Sequence, residues 1–67
     1  MNSSIELTKY FYDKQIILHA ISAYNEIATI TLSESSNYFI CTVESSNYSA
    51  DLVLNEFENY IIGLMNL

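Results

Sequence analysis

Proline is absent from this chain, and glycine, cysteine and histidine occur once each. With Gly63 as the sole glycine, no glycine-rich loop can cradle a phosphate. With Cys41 alone, no disulfide can close within the chain, and Cys41 with His19 falls short of the clustered ligands of a metal site. Cations are nearly as scarce. Lys9 and Lys14 are the only Lys or Arg residues, set against eight acids for a formal charge of −6. Beyond Lys14 come Glu26, Glu34, Glu44, Asp51, Glu56 and Glu58, with no Lys or Arg among them. Binding nucleic acid requires a basic patch to neutralise phosphates, and an anionic membrane surface makes the same demand. Neither partner is expected. No apolar run reaches the roughly 18 residues of a membrane span, and the opening Met-Asn-Ser-Ser-Ile-Glu lacks the basic and apolar blocks of a signal peptide. A cytoplasmic location is the expectation.

Apolar residues make up 51% of the chain, too many for disorder by composition. Residues 1–67 are expected to form a single domain, close to the size at which a core can just support itself, since so short a chain buries only about 60% of its unfolded surface. Small domains without disulfides or metals commonly gain stability from company. A protein or peptide partner, or a homodimer, is therefore expected. The surplus acids read as solubilising faces, or as a docking surface for a basic partner.

Residues 5–12, Ile-Glu-Leu-Thr-Lys-Tyr-Phe-Tyr, alternate and are rich in β-branched and aromatic types, which predicts a strand. Ile5, Leu7 and Phe11 would face the core, with Glu6, Thr8, Tyr10 and Tyr12 on the other side. Asp13 then suits a helix N-cap, and Ile17, Ala20, Ile21 and Tyr24 follow at spacings of three and four. That helix is predicted to end between Tyr24 and Glu26, with Asn25 as a left-handed cap. Two short strands come next. Ala28, Ile30 and Leu32 point inward in the first, and Phe39, Cys41 and Val43 in the second. Finally Ala50, Leu54, Phe57, Ile61, Leu64 and Met65 form an apolar helical stripe, with Ser49 as cap and Asp51 at the positive end of the helix dipole.

The pentapeptide Glu-Ser-Ser-Asn-Tyr occurs twice, at 34–38 and 44–48. Serine and asparagine bond locally to the backbone, so the first copy suits a hairpin turn and the second a strand-to-helix connection. The repeat is punctuation.

An α+β fold of order β-α-β-β-α results, a two-layer sandwich with both helices on one face of a three-stranded sheet. Strand orders 1-2-3 and 1-3-2 are both open. The second is favoured because Tyr-Phe-Ile-Cys-Thr-Val is the most apolar strand and central strands are the most buried, giving a truncated ferredoxin-like arrangement. The bare sheet face would carry Thr8, Tyr10, Tyr12, Thr29, Thr31, Tyr38, Ile40 and Thr42. Rigid aromatics such as Tyr10, Tyr12 and Tyr38, beside Ile40, are the material of binding surfaces. The edge strands could also add a peptide by main-chain pairing. The closing helix is apolar nearly all round, so Tyr60 and Ile62 would be left over as a second candidate interface, where Gly63 suggests close helix approach or fraying.

No catalytic set emerges. His19 lies mid-helix and Cys41 should point inward, where cysteine acts as a small hydrophobe. Glu56 and Glu58 stand two apart on a helix and diverge. Without proline, tautomerase chemistry at an amino-terminal proline has no residue to use. Neither an enzyme nor a cofactor is expected.

The stretch Phe11-Tyr-Asp-Lys-Gln-Ile-Ile-Leu-His-Ala-Ile-Ser-Ala-Tyr-Asn-Glu-Ile-Ala-Thr-Ile-Thr-Leu32, with its Thr-rich strand, the hairpin after it, and the closing Leu54-Asn-Glu-Phe-Glu-Asn-Tyr-Ile-Ile-Gly-Leu-Met-Asn-Leu67 segment together resemble the HxsD-like family. Those are small proteins of the His-Xaa-Ser system, encoded beside radical SAM enzymes that modify ribosomally made peptides. Asn59, Tyr60, Ile61, Ile62 and Leu64 match the family's closing motif approximately, and its final Arg-Glu is missing here. The resemblance implies a non-catalytic accessory protein that binds a precursor peptide or a radical SAM maturase. A self-assembling regulatory module, such as a toxin-neutralising partner, is the alternative.

Overall fold

The structure, a computed structural model, describes residues 3–67. Met1 and Asn2, included in the expected domain, lie outside the described residues. The elements are β1 (Ser3–Thr8), α1 (Lys14–Ala23), β2 (Ala28–Glu34), β3 (Tyr38–Ser46) and α2 (Ala50–Met65). The sheet order is β1-β3-β2, and β3 runs antiparallel to both neighbours. The expected α+β fold with order 1-3-2 is thus observed. Its cause is burial: Phe39, Cys41 and Val43 of β3 are all buried, and the central strand is the one covered from both flanks. β1 and β2 consequently run parallel, and α1 is the crossover between them.

Both helices pack on the same side of the sheet, α1 over β2 and α2 over β1 and β3. Between the layers lies one core, built from Leu7, Ile17, Ala20, Ile30, Phe39, Cys41, Val53, Leu54, Phe57 and Ile61 among others. Phe57 is its largest fully buried side chain, and such a residue contributes roughly 1.5–3 kcal/mol by leaving water. On α2 the expected stripe holds at Leu54, Phe57 and Ile61, and Val53 widens it. Leu64 and Met65 are half-buried. In β3 one residue is extra: Thr29 pairs with Ser45 but Ile30 pairs with Val43, so Glu44 forms a bulge.

The first strand is shorter than its alternation predicts. It ends at Thr8, because Thr8 pairs with Tyr38 at the very start of β3 and no partner strand continues beyond. The Lys9 N–H donates to Asn37 O at 3.0 Å, and the backbone then turns. The N–H groups of Phe11 and Tyr12 both donate to Thr8 O, at 3.2 and 3.1 Å, while the Tyr10 N–H donates to Thr8 Oγ1 at 3.2 Å. Three placements change as a result. Tyr10 stands on the turn, beyond the end of the sheet face it was expected to share. Phe11 is 75% exposed instead of buried. Tyr12 leaves the open sheet face and packs against the core on the helix side.

Helix α1 begins after Asp13, whose backbone is extended but whose side chain makes no cap hydrogen bond. It ends at Ala23 with Tyr24 as its cap, one residue before the expected range, and Asn25 is not left-handed: no described residue has a positive φ. Instead Tyr24 O accepts the N–H groups of both Ile27 and Ala28 at 2.9 Å, a compact turn that needs no left-handed residue.

Both copies of the repeat punctuate the chain through their serines. In the first, Ser35 N–H donates to Tyr38 O at 2.9 Å and Ser35 Oγ accepts the Tyr38 N–H at 3.2 Å. In the second, Ser46 Oγ accepts the Tyr48 N–H at 3.0 Å, and the following Ser49 Oγ caps α2 by accepting the Leu52 N–H at 3.2 Å.

Candidate interaction site

Antiparallel β3 joins two ends of the molecule. At one end sit the β1–α1 turn, the β2–β3 hairpin and the start of α1. At the other sit the end of α1, the start of β2 and the β3–α2 connection. The hairpin end carries both lysines of the chain. Lys9 Nζ lies 3.0 Å and Lys14 Nζ 2.8 Å from the Glu34 carboxylate, and Lys9 Nζ also stands 5.3 Å from the centre of the Phe39 ring. Hydrogen bonds from Lys14 and then Lys9 hold the Glu34 carboxyl below its ordinary value. Beside this cluster Tyr10 is 96% exposed. Tyr10 and Tyr38 line one shallow depression with Lys9 and Asn37.

The six residues expected to bind a partner are therefore dispersed. Tyr10 and Tyr38 come together, and Ile40 lies half-buried on the open sheet face two residues along β3 from Tyr38. Tyr12 is on the other layer, where its hydroxyl donates to Glu58 Oε2 at 3.2 Å and is held above its ordinary value by burial first and the Glu58 charge second. Tyr60 packs edge-on to Tyr24 at 5.6 Å. Ile62, two residues further along α2, points to a different side. The open face itself is a hydroxyl lattice. Ser4 and Thr42 share a 2.8 Å hydrogen bond, and Thr31 Oγ1 donates to Glu44 at 3.0 Å. It is more polar than three tyrosines would have made it.

Sequence reasoning missed the opposite end. There Tyr24, Ile27, Tyr48, Leu52, Val53 and Glu56 line an open groove of about 320 Å³. Its wall rests on the core, because the Tyr24 ring meets Phe57 edge-on at 5.6 Å. Burial raises the Tyr24 hydroxyl above its ordinary value, and the Glu56 charge raises it further. One signal was available: each copy of the repeat ends in tyrosine, and only the first, Tyr38, was assigned to a surface.

The reactive side chains lie away from both ends. Cys41 is fully buried, and burial pushes its thiol up to about 11, so almost no thiolate exists at neutral pH. His19 is exposed on α1. Among the described residues no group of three or more His, Cys, Asp or Glu is placed to hold a metal ion, and no helix is long and apolar enough to cross a membrane. The chain is a small acidic α+β domain with a split β-α-β sheet, exposed aromatics beside an ion cluster at one end and an apolar groove at the other. No family model matches it, and neither a curated protein nor a solved structure does.

Proposed function

We propose that this protein is a non-catalytic accessory module that docks onto a protein or peptide partner through the hairpin end. The observation that supports the reading is the Tyr10–Phe11 turn. Hydrogen bonds from Lys9, Tyr10, Phe11 and Tyr12 hold its backbone, yet its two aromatic rings stand in solvent. Rings held out on a rigid backbone lose little entropy on binding, which suits them as anchors. Tyr38 widens the same surface, and the adjacent edge of β1 offers main-chain pairing to an extended segment. The HxsD-like resemblance gives the partner class: a precursor peptide or a radical SAM maturase of a peptide-modification system, in the cytoplasm.

The test is the light-scattering mass of the protein alone and then with a maturase and its precursor peptide. A gain in mass that is lost in a Tyr10→Ser, Phe11→Ser double variant supports this reading. An unchanged mass with both overturns it. A homodimer through α2 is a second reading, supported by exposed Ile62 and Leu67 and by the open space beside Gly63. An Ile62→Ser variant tests it without unfolding the chain, whereas truncation after Asn59 would remove Ile61 from the core.

A further inference from the structure

The groove between the end of α1 and the start of α2 carries a charge pattern as well as an apolar lining. Leu52 is 52% and Tyr48 61% exposed, so the lining is open to a partner's side chains. Glu56 forms part of it. Through Ile27 it adjoins a smaller, more polar depression of about 190 Å³ that includes Glu26. No Lys or Arg balances these carboxylates, since both lysines bind Glu34 at the far end. The last turn of α1, whose carbonyls form the negative end of its dipole, also points here and holds no basic residue. The positive start of α2 is answered internally by Ser49 Oγ and by Asp51 in its first turn. An apolar floor results, with an acidic rim that no Lys or Arg among the described residues offsets.

We infer that this groove binds a peptide segment of aliphatic residues flanked by lysine or arginine. Aliphatic side chains would cover Ile27, Tyr48 and Leu52, while the cations would sit against Glu56 and Glu26. The volume lies at the small end of the roughly 300–1,000 Å³ range of ligand pockets, enough for a few side chains and not for a folded domain. A second copy fits poorly, because each copy carries −6 and its only two lysines are both drawn onto Glu34. The site lies opposite the Tyr10–Phe11 turn, so either can fail without the other.

Fluorescence anisotropy with three short labelled peptides tests the inference: alternating leucine and lysine, alternating leucine and glutamate, and alternating serine and lysine. Only the leucine–lysine peptide binds, and its affinity falls as salt is added. Leu52→Ser weakens it about tenfold, the effect of returning a leucine-sized contact to water. Glu56→Gln weakens it about two- to fivefold, as for an exposed ion pair. Tyr10→Ser leaves it unchanged. Equal binding of the serine–lysine peptide would mean diffuse charge attraction and overturn the proposal. So would full affinity in a Leu52→Ser protein whose circular dichroism shows it folded, or a dimer of the unliganded protein that Leu52→Ser dissociates.

Discussion

The two ends of the sheet carry contrasting chemistry on one scaffold. At the hairpin end, charges meet within the chain: two ammonium groups converge on Glu34, and the exposed aromatics Tyr10 and Phe11 rise beside that ion cluster. At the helix-junction end, apolar side chains lie beside Glu56 and Glu26, and among the described residues no Lys or Arg pairs with them. The aromatics also differ in support. Tyr10 and Phe11 hang on a backbone turn, whereas Tyr24 is seated on Phe57 and Tyr60. A surface mounted on a turn can change without disturbing the core. One mounted on Phe57 cannot.

The largest expected effect breaks that contrast directly. Phe57→Ala removes the floor beneath Tyr24 and should cost about 3–5 kcal/mol, measured by urea unfolding. In so small a domain that is enough to unfold much of the population. Tyr10→Ser and Phe11→Ser, changed at the other end, should stay within about 0.5 kcal/mol of the parent. A loss at Phe11 as large as at Phe57 would show that the turn is part of the core.

The two helix starts make a finer comparison. Ser49→Ala at the junction end should cost about 1 kcal/mol, because the Leu52 N–H loses its acceptor. Asp13→Ala at the hairpin end should cost clearly less, since Asp13 makes no cap bond. Equal losses in thermal unfolding would contradict the cap geometry. Gly63→Ala, near the other end of α2, should stabilise by roughly 0.5–1 kcal/mol, because a Cβ there meets nothing. Destabilisation would mean that another surface packs against that position.

The smallest effect is electrostatic. The Glu34 carboxyl lies below its ordinary value of 4.5 when folded, so its contribution is fully present above 4.5 and fades as pH falls through the folded value. Glu34→Gln should therefore be slightly less stable than the parent at neutral pH and indistinguishable from it in acid, and the neutral-pH difference should shrink in salt.

Much of this architecture was legible beforehand because its signals are local. Period-two alternation in β2 and β3 placed Ala28, Ile30, Phe39, Cys41 and Val43 inward, and the three-to-four spacing of Leu54, Phe57 and Ile61 placed α2. What misled was alternation that ran past the end of its strand. Residues 9–12 keep the pattern of β1, but a strand lasts only as long as its neighbour, and β3 supplies none beyond Tyr38. Tyr10, Phe11 and Tyr12 were misplaced for that reason. The groove was illegible for a related one: Tyr24, Ile27, Tyr48 and Leu52 are scattered along the chain, and nothing in their spacing says that they converge.

By itself, then, the sequence determined the element order, the inward faces of β2, β3 and α2 and the serine punctuation between elements, while it only favoured the most apolar strand for the central position. Each follows from periodicity or from bonds a residue makes within a few positions of itself. Only tertiary structure decided that both lysines would meet at Glu34, that Tyr12 would cross to Glu58, and that an acidic apolar groove would form where α1 ends and α2 begins. Those depend on which distant residues the crossover brings together.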